Sequence, residues 1–200
     1  GKTMVKPKFL NKHTVIVGKR RCGKSNLMAH ILNQPFAENT LVWDINQEHA
    51  DQDRIVPSHR KGEELREEFE EATHRLITGN DRELRPDLYA VEEANRVAPN
   101  KGKTPEPFID LVDRGAHYGT GTLAIARRPA QMDTDVVELA DNLFVFKVRG
   151  KNDVSRLNAI ADGLGDMAAE LDRFEFVYLP DFGDPVRMDP VPEYDTTGEI

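Results

Sequence analysis

The segment Gly18–Ser25, GKRRCGKS, constrains this chain more than any other stretch. It matches GxxxxGK[ST], a glycine-rich turn whose backbone N–H groups point inward at phosphate oxygens. Such a turn works only between a strand and a helix, because the helix adds its positive N-terminal end to the same site. The flanks comply. The apolar run His13–Val17 precedes it and a helical pattern, 26–32, follows. The residues expected to cradle a nucleoside triphosphate are Gly18, Lys19, Arg20, Arg21, Cys22, Gly23, Lys24, Ser25 and Asn26. Within that set, Lys24 is expected to reach the β- and γ-phosphates and the Ser25 hydroxyl to hold Mg2+.

Two hundred residues suit one domain with a sizeable core. We divide them into a basic N-terminal segment at 1–12, a P-loop domain at 13–180 and a C-terminal tail at 181–200. Gly1-Lys2-Thr3, ahead of Met4, reads as a cloning remnant. The net charge of −8 opposes broad adhesion to nucleic acid, though it leaves room for a local basic patch. Cys22 is the only cysteine, so no intramolecular disulfide can form. No run is long and apolar enough to span a membrane, and no signal peptide is expected.

Along the chain, strands are expected at 13–17, 40–44, 87–91, 122–126, 143–148 and 174–179. Between them lie the P-loop helix, a glutamate-rich amphipathic helix at 62–76 ended by Gly79-Asn80-Asp81, and helices at 108–116, 133–140 and about 152–163. Residues 45–61 and 99–107 read as loops, the second carrying Lys101 and Lys103. This alternation predicts an α/β fold, a mostly parallel central sheet with helices on both faces. Ligands in such sheets bind beyond the carboxyl ends of the strands. The P-loop, Asp44, Glu92-Glu93 and Arg127-Arg128 all follow strands and are expected to converge there.

Glu92-Glu93, closing an apolar strand, resembles the Walker B element of P-loop ATPases. Its first acid supports the metal and its second polarises the attacking water. The stretch 122–153, TLAIARRPAQMDTDVVELADNLFVFKVRGKND, is similar to the FtsK–HerA superfamily of DNA-pumping motors, with Arg128-Pro129 at the strand end and Asn152-Asp153 at the far side. Asp44 and Glu48 resemble acids near that family's second strand. The resemblance implies a RecA-like P-loop NTPase of the additional-strand, catalytic-glutamate type. It implies ATP and Mg2+ as cofactors, with Glu93 and Lys24 catalytic and Ser25 and Glu92 on the metal. Arg127 takes the sensor position, where the family usually has a neutral polar residue. The family's trans-acting arginine falls on Ala116, so Arg114 is the first choice for that role and Arg128 the second.

The function so implied is ATP hydrolysis coupled to translocation of double-stranded DNA, with packaging of a viral genome into a capsid as its setting. The partners implied are double-stranded DNA, further copies in a pentameric or hexameric ring, and a capsid protein, in the host cytoplasm or the virion. Lys101 and Lys103 are the candidate DNA contacts. Two other classes fit the P-loop. A nucleotide kinase would carry an arginine-rich lid, which is not visible here, and a nucleotide-gated assembly or secretion protein would share the same pocket. The six histidines, His13, His30, His49, His59, His74 and His117, show no metal-ligand spacing, and no second metal site is expected.

Overall fold

Four strands are buried at every residue: β1 (His13–Val17), β4 (Leu88–Val91), β5 (Gly121–Ala126) and β6 (Asn142–Phe146). Strands apolar on both sides belong inside a layered sheet. The computed structural model, which describes residues 7–79, 85–102 and 104–194, has that arrangement. The remaining strands are β2 (Thr40–Trp43), β3 (Asp53–Ile55), β7 (Phe176–Pro180) and β8 (Val186–Met188), and the sheet order is β3-β2-β4-β5-β1-β6-β7-β8. The first six in that order are parallel. The last two are antiparallel. β5 lies between β1 and β4, so an additional strand separates the P-loop from the strand ending in Glu92-Glu93, as the resemblance implies.

Alternate residues of each strand feed two cores. On one face Ile16, Val42, Leu123, Ile125 and Phe146 meet α1 (Lys24–Leu32) through Leu27, Met28 and Ile31, and Phe9 joins them. On the other, Val15, Trp43, Tyr89, Ala124 and Leu143 meet Leu65 and Phe69 of α2 (Gly62–Thr78) and Phe108 and Leu111 of α3 (Glu106–Asp113). Val136 of α5 (Thr134–Glu138), Leu157 of α6 (Lys151–Ile160) and Leu164 of α7 (Leu164–Glu170) complete that layer. Phe69 sits edge-on to Trp43 and to Phe108, with ring centroids 5.0 Å apart in each pair, the geometry aromatic quadrupoles favour. No helix among the described residues is long and apolar enough to cross a membrane.

Strand ends shift slightly, with β6 closing at Phe146 and β7 opening at Phe176, and four larger departures from the sequence reading stand out. Residues 45–61 are not all loop, because Asp53–Ile55 forms β3 beside β2. The helix read at 108–116 breaks at Arg114 (φ −124°, ψ 35°) into α3 and α4 (Gly115–Tyr118). α7 follows α6 after Gly163 turns left-handed, and the two helices pack so closely that a Cβ on Gly165 would lie 2.1 Å from Val154 O. Finally, the segment read as a tail is not wholly peripheral: 186–188 is β8, and 191–194 lie along α1. Asn80, Asp81 and Lys103 lie outside the described residues.

His13 opens β1 fully enclosed. Its Nε2 donates to Val136 O (2.7 Å), and its Nδ1 accepts from the Thr122 hydroxyl (2.6 Å), because a carbonyl can only accept. Burial pushes its pKa down to about 4, against the Val136 hydrogen bond. The unfolded chain takes up this proton near pH 6.5 and the folded chain does not, so stability present above 6.5 drains away as the pH falls toward 4. The full loss is roughly 3 kcal/mol. We expect wild type to lose that much relative to His13→Gln across this window, as read by denaturant unfolding at stepped pH. A constant difference between the two would show that His13 stays charged inside the fold.

Candidate active site

The turn after β1 is built on two glycines. A Cβ on Gly18 would lie 2.6 Å from Cys22 Sγ and 2.8 Å from Phe146 Cβ. Gly23 adopts φ 107°, which side chains avoid. Gly18 N bonds Ala126 O at 3.1 Å, tying the loop to the end of β5. Cys22 is buried behind the loop, and burial raises its thiol pKa, which keeps it neutral. Lys24 Nζ donates to Gly18 O at 2.9 Å. Burial lowers the Lys24 pKa, opposed by nearby Cys22, Glu92 and Glu93.

A cavity of about 690 Å³ opens at the carboxyl ends of β1, β4 and β5. Lys24, Ser25, Glu92, Glu93 and Arg127 all line it, and so do Arg20, Arg21, Gly23 and Asn26. The convergence expected from strand-end positions is therefore present for these residues. Lys19 is not part of this lining and faces an adjoining basic cleft with Lys147 and Arg149.

Glu93 is the strained member. It is 8% exposed and left-handed, with φ 47° and ψ 50°, where a non-glycine residue costs on the order of 1–2 kcal/mol. That turn carries its carboxylate back over the sheet edge. One oxygen accepts from Asn46 Nδ2 (3.3 Å) and Arg127 Nη2 (3.0 Å), and the other pairs with Arg96 Nε. Burial alone would raise its pKa. The Asn46 hydrogen bond and the charges of Arg96 and Arg127 outweigh it and hold the carboxyl below its usual range. Neither Asn46 nor Arg96 was singled out by sequence. Arg96 had a faint signal, a cation three residues beyond the glutamate at a helical turn, whereas Asn46 arrives through the fold alone.

Glu92 Oε1 accepts from His49 Nε2 at 2.9 Å. That hydrogen bond raises the His49 pKa against burial. Ligand atoms of Glu48, His49 and Glu92 lie within 4.8 Å of one another. His49 joins this group although the histidines show no metal-ligand spacing in sequence, because β2 and β4 are neighbours and bring together residues 43 apart in sequence. Ser25 and Glu92 line the same cavity, and their hydroxyl and carboxylate oxygens, with Glu48 beside them, are the hard donors a Mg2+ ion takes.

Asp44, by contrast, serves the scaffold. It is fully buried and accepts from the backbone N–H of Glu48 and His49 and from Arg54. Burial would raise its pKa, but the Arg54 hydrogen bond and these backbone donors hold it low. Arg128 turns to Asp153 (2.9 Å), which also accepts from Ala130 N, so the strand exit is pinned to α6. Arg114 is outside the cavity. It pairs with Asp110 (2.7 Å) and the Tyr118 hydroxyl just before β5 begins, at the opposite sheet edge. The five residue steps of β5 put roughly 16 Å between that edge and the P-loop.

A glycine-rich turn between a buried strand and α1, with an extra strand before the one ending in Glu92-Glu93, defines a P-loop NTPase fold. Solved structures carry the same architecture. The chain is similar to the genome-packaging NTPase B204 from Sulfolobus turreted icosahedral virus 2 in complex with AMP, with TM-score 0.72 and 16% identity over 90% of this chain and 98% of that one. It is similar to B204, the DNA-packaging ATPase from Sulfolobus turreted icosahedral virus, with TM-score 0.71 and 17% identity over 92% and 100%. It also resembles the cytoplasmic domain of the Thermomonospora curvata type VII secretion ATPase EccC, with TM-score 0.59 and 12% identity over 92% of this chain and 24% of that one. No protein-family model matches the sequence, and no curated protein matches it.

The crowding at Gly18 gives a direct check. Gly18→Ala forces a methyl against Cys22 and Phe146, and such overpacking typically costs about 1–3 kcal/mol. A matching fall in unfolding free energy is expected. An unchanged denaturation midpoint would mean that the loop shifts to admit the methyl.

Proposed function

We propose that this protein is an ATPase that moves double-stranded DNA, and that its setting is the packaging of a viral genome into a capsid. One observation carries the reading. Lys24, Ser25, Glu92, Glu93 and Arg127 line one cavity, on a fold that overlays nearly the full length of the DNA-packaging ATPase B204.

The triphosphate would lie along the N–H groups of the P-loop, with Lys24 exchanging Gly18 O for the β- and γ-phosphates. Ser25 and Glu92, with Glu48 nearby, would hold Mg2+, which would neutralise phosphate charge; His49 competes for the same Glu92 oxygen. Glu93, ionised and held by three donors, is built to orient a water by accepting its hydrogen bond. Arg127 couples the two ends of the reaction. While it pairs with Glu93 the carboxylate is engaged, and an incoming γ-phosphate would draw the guanidinium away and release it.

The trans residue remains Arg114 in this reading. It sits at the far sheet edge, away from its own P-loop, and its guanidinium is half exposed. Arg128 stays the second choice, and like Arg114 it would have to leave a carboxylate, Asp153, to act on a neighbour's nucleotide. A pentameric or hexameric ring follows, with a capsid protein as further partner and the host cytoplasm or virion as location. Exposed Lys101 remains a candidate DNA contact.

The test is ATP turnover with and without double-stranded DNA, in wild type and Glu93→Gln. We expect DNA to raise wild-type turnover. The variant, which keeps shape and loses charge, is expected to bind ATP yet turn over at least about 100-fold more slowly. DNA-independent turnover that needs a small acceptor would replace the motor by a kinase. Doping wild type with Arg114→Ala subunits is expected to depress activity beyond their share, because an arginine finger is worth roughly a thousandfold or more in rate. Activity that merely tracks the wild-type fraction in verified mixed rings would remove Arg114 from the mechanism.

A further inference from the structure

We propose that a groove beside the P-loop, lined by Phe174, Pro190 and Val191, receives the purine base of the nucleotide. This rests on the P-loop cavity holding the triphosphate.

The groove, of about 350 Å³, is lined by Gly23, Asn26, Phe174, Pro190, Val191 and Glu193. Gly23, Asn26 and Phe174 also line the larger cavity, so the two spaces adjoin. A ligand whose phosphates lie on the loop finds in this groove a mainly apolar place for its other end. Walls of this kind suit a planar aromatic ring, and the volume is in the range of small-molecule sites.

Both walls are held in position. Phe174 is 43% exposed yet kept in a left-handed conformation with φ 72°, a strained arrangement that burial does not explain. Its ring lies over Gly23, where a Cβ would come within 3.3 Å of Phe174 Cδ1. The Arg173 guanidinium stands 4.5 Å from the ring centroid. The other wall is pinned by the P-loop helix. Asn26 Nδ2 donates to Pro192 O (2.9 Å), and Asn26 Oδ1 accepts from Tyr194 N (2.7 Å). His30 Nε2 donates to the same Pro192 carbonyl (2.6 Å), while the His30 and Tyr194 rings meet edge-on at 5.3 Å. Asn26, the residue after Ser25, thus fixes the wall at the point where a nucleotide would leave the loop.

The chemistry selects a purine. Two fused rings offer more apolar area to Phe174 and Val191 than a single ring does. The Glu193 carboxylate can accept from a base N–H, which cytosine carries as well as the purines, so the preference rests on stacking area.

Affinities for ATP, CTP and inorganic tripolyphosphate, measured by calorimetry with Mg2+ present on wild type, Phe174→Ala and Phe174→Tyr, test this. Phe174→Ala is expected to weaken ATP roughly tenfold or more, the scale of a base–aromatic stack, and to leave tripolyphosphate unchanged. Wild type is expected to prefer ATP to CTP, with the preference shrinking in Phe174→Ala and returning in Phe174→Tyr. Equal loss of ATP and tripolyphosphate in Phe174→Ala would mean that the ring only shapes the loop, and would overturn the base site. So would ATP affinity unchanged by Phe174→Ala. A wild type that binds neither ATP nor tripolyphosphate would instead bring down the P-loop reading and this proposal with it.

Discussion

The parallel pairing of β1 with β5 is the constraint on which the site depends. Its register sets Val17 beside Ala126, so the P-loop and Arg127 leave the sheet side by side, and Gly18 N bonds Ala126 O. β4 stops lower, with Val91 beside Ala124. The chain leaves the sheet there, two residues before Glu93. The left-handed turn at Glu93 then brings its carboxylate to Arg127. The local strain and the ionised, triply bonded carboxylate are two aspects of one geometric fact.

What was legible in the sequence follows from this. β1, β4, β5 and β6 are buried along their whole length and mostly apolar, so they stand out without any knowledge of their neighbours. The P-loop glycines are dictated by local backbone geometry, and local geometry is what a motif records. Elements that depend on partners were not legible. β3 is a three-residue edge strand, Asp-Arg-Ile, held because Asp44 reaches Arg54 across the turn. α7 is short and becomes a helix by packing Gly165 onto α6. Asn46 and His49 come to Glu93 and Glu92 only because β2 lies beside β4, a fact of sheet order that no spacing encodes.

The two faces of the sheet are covered unequally. α2, α3, α5, α6 and α7 all lie on one face, while α1 is the one long helix on the other among the described residues. The apolar surface left over is closed by chain ends. Phe9 stacks between Phe36 and Phe144, at 5.4 and 6.2 Å, and Met188 and Val191 pack against the same cluster. Burying such a side chain is worth about 1.5–3 kcal/mol, enough to fasten segments whose composition alone reads as peripheral. Divided at residues 12 and 180, the sequence separates pieces that share one core.

Arg127 and Arg128 are adjacent in the chain, yet they point to different parts of the molecule. One guanidinium meets the carboxylate in the cavity, and the next is clamped to buried Asp153 at the first turn of α6. A single peptide unit therefore joins the reacting edge to the helical layer behind it. Because α6 and α7 pack with almost no clearance at Gly165, that layer is stiff. Any change at Arg127 is therefore one peptide unit away from an ion pair that anchors in the helical layer.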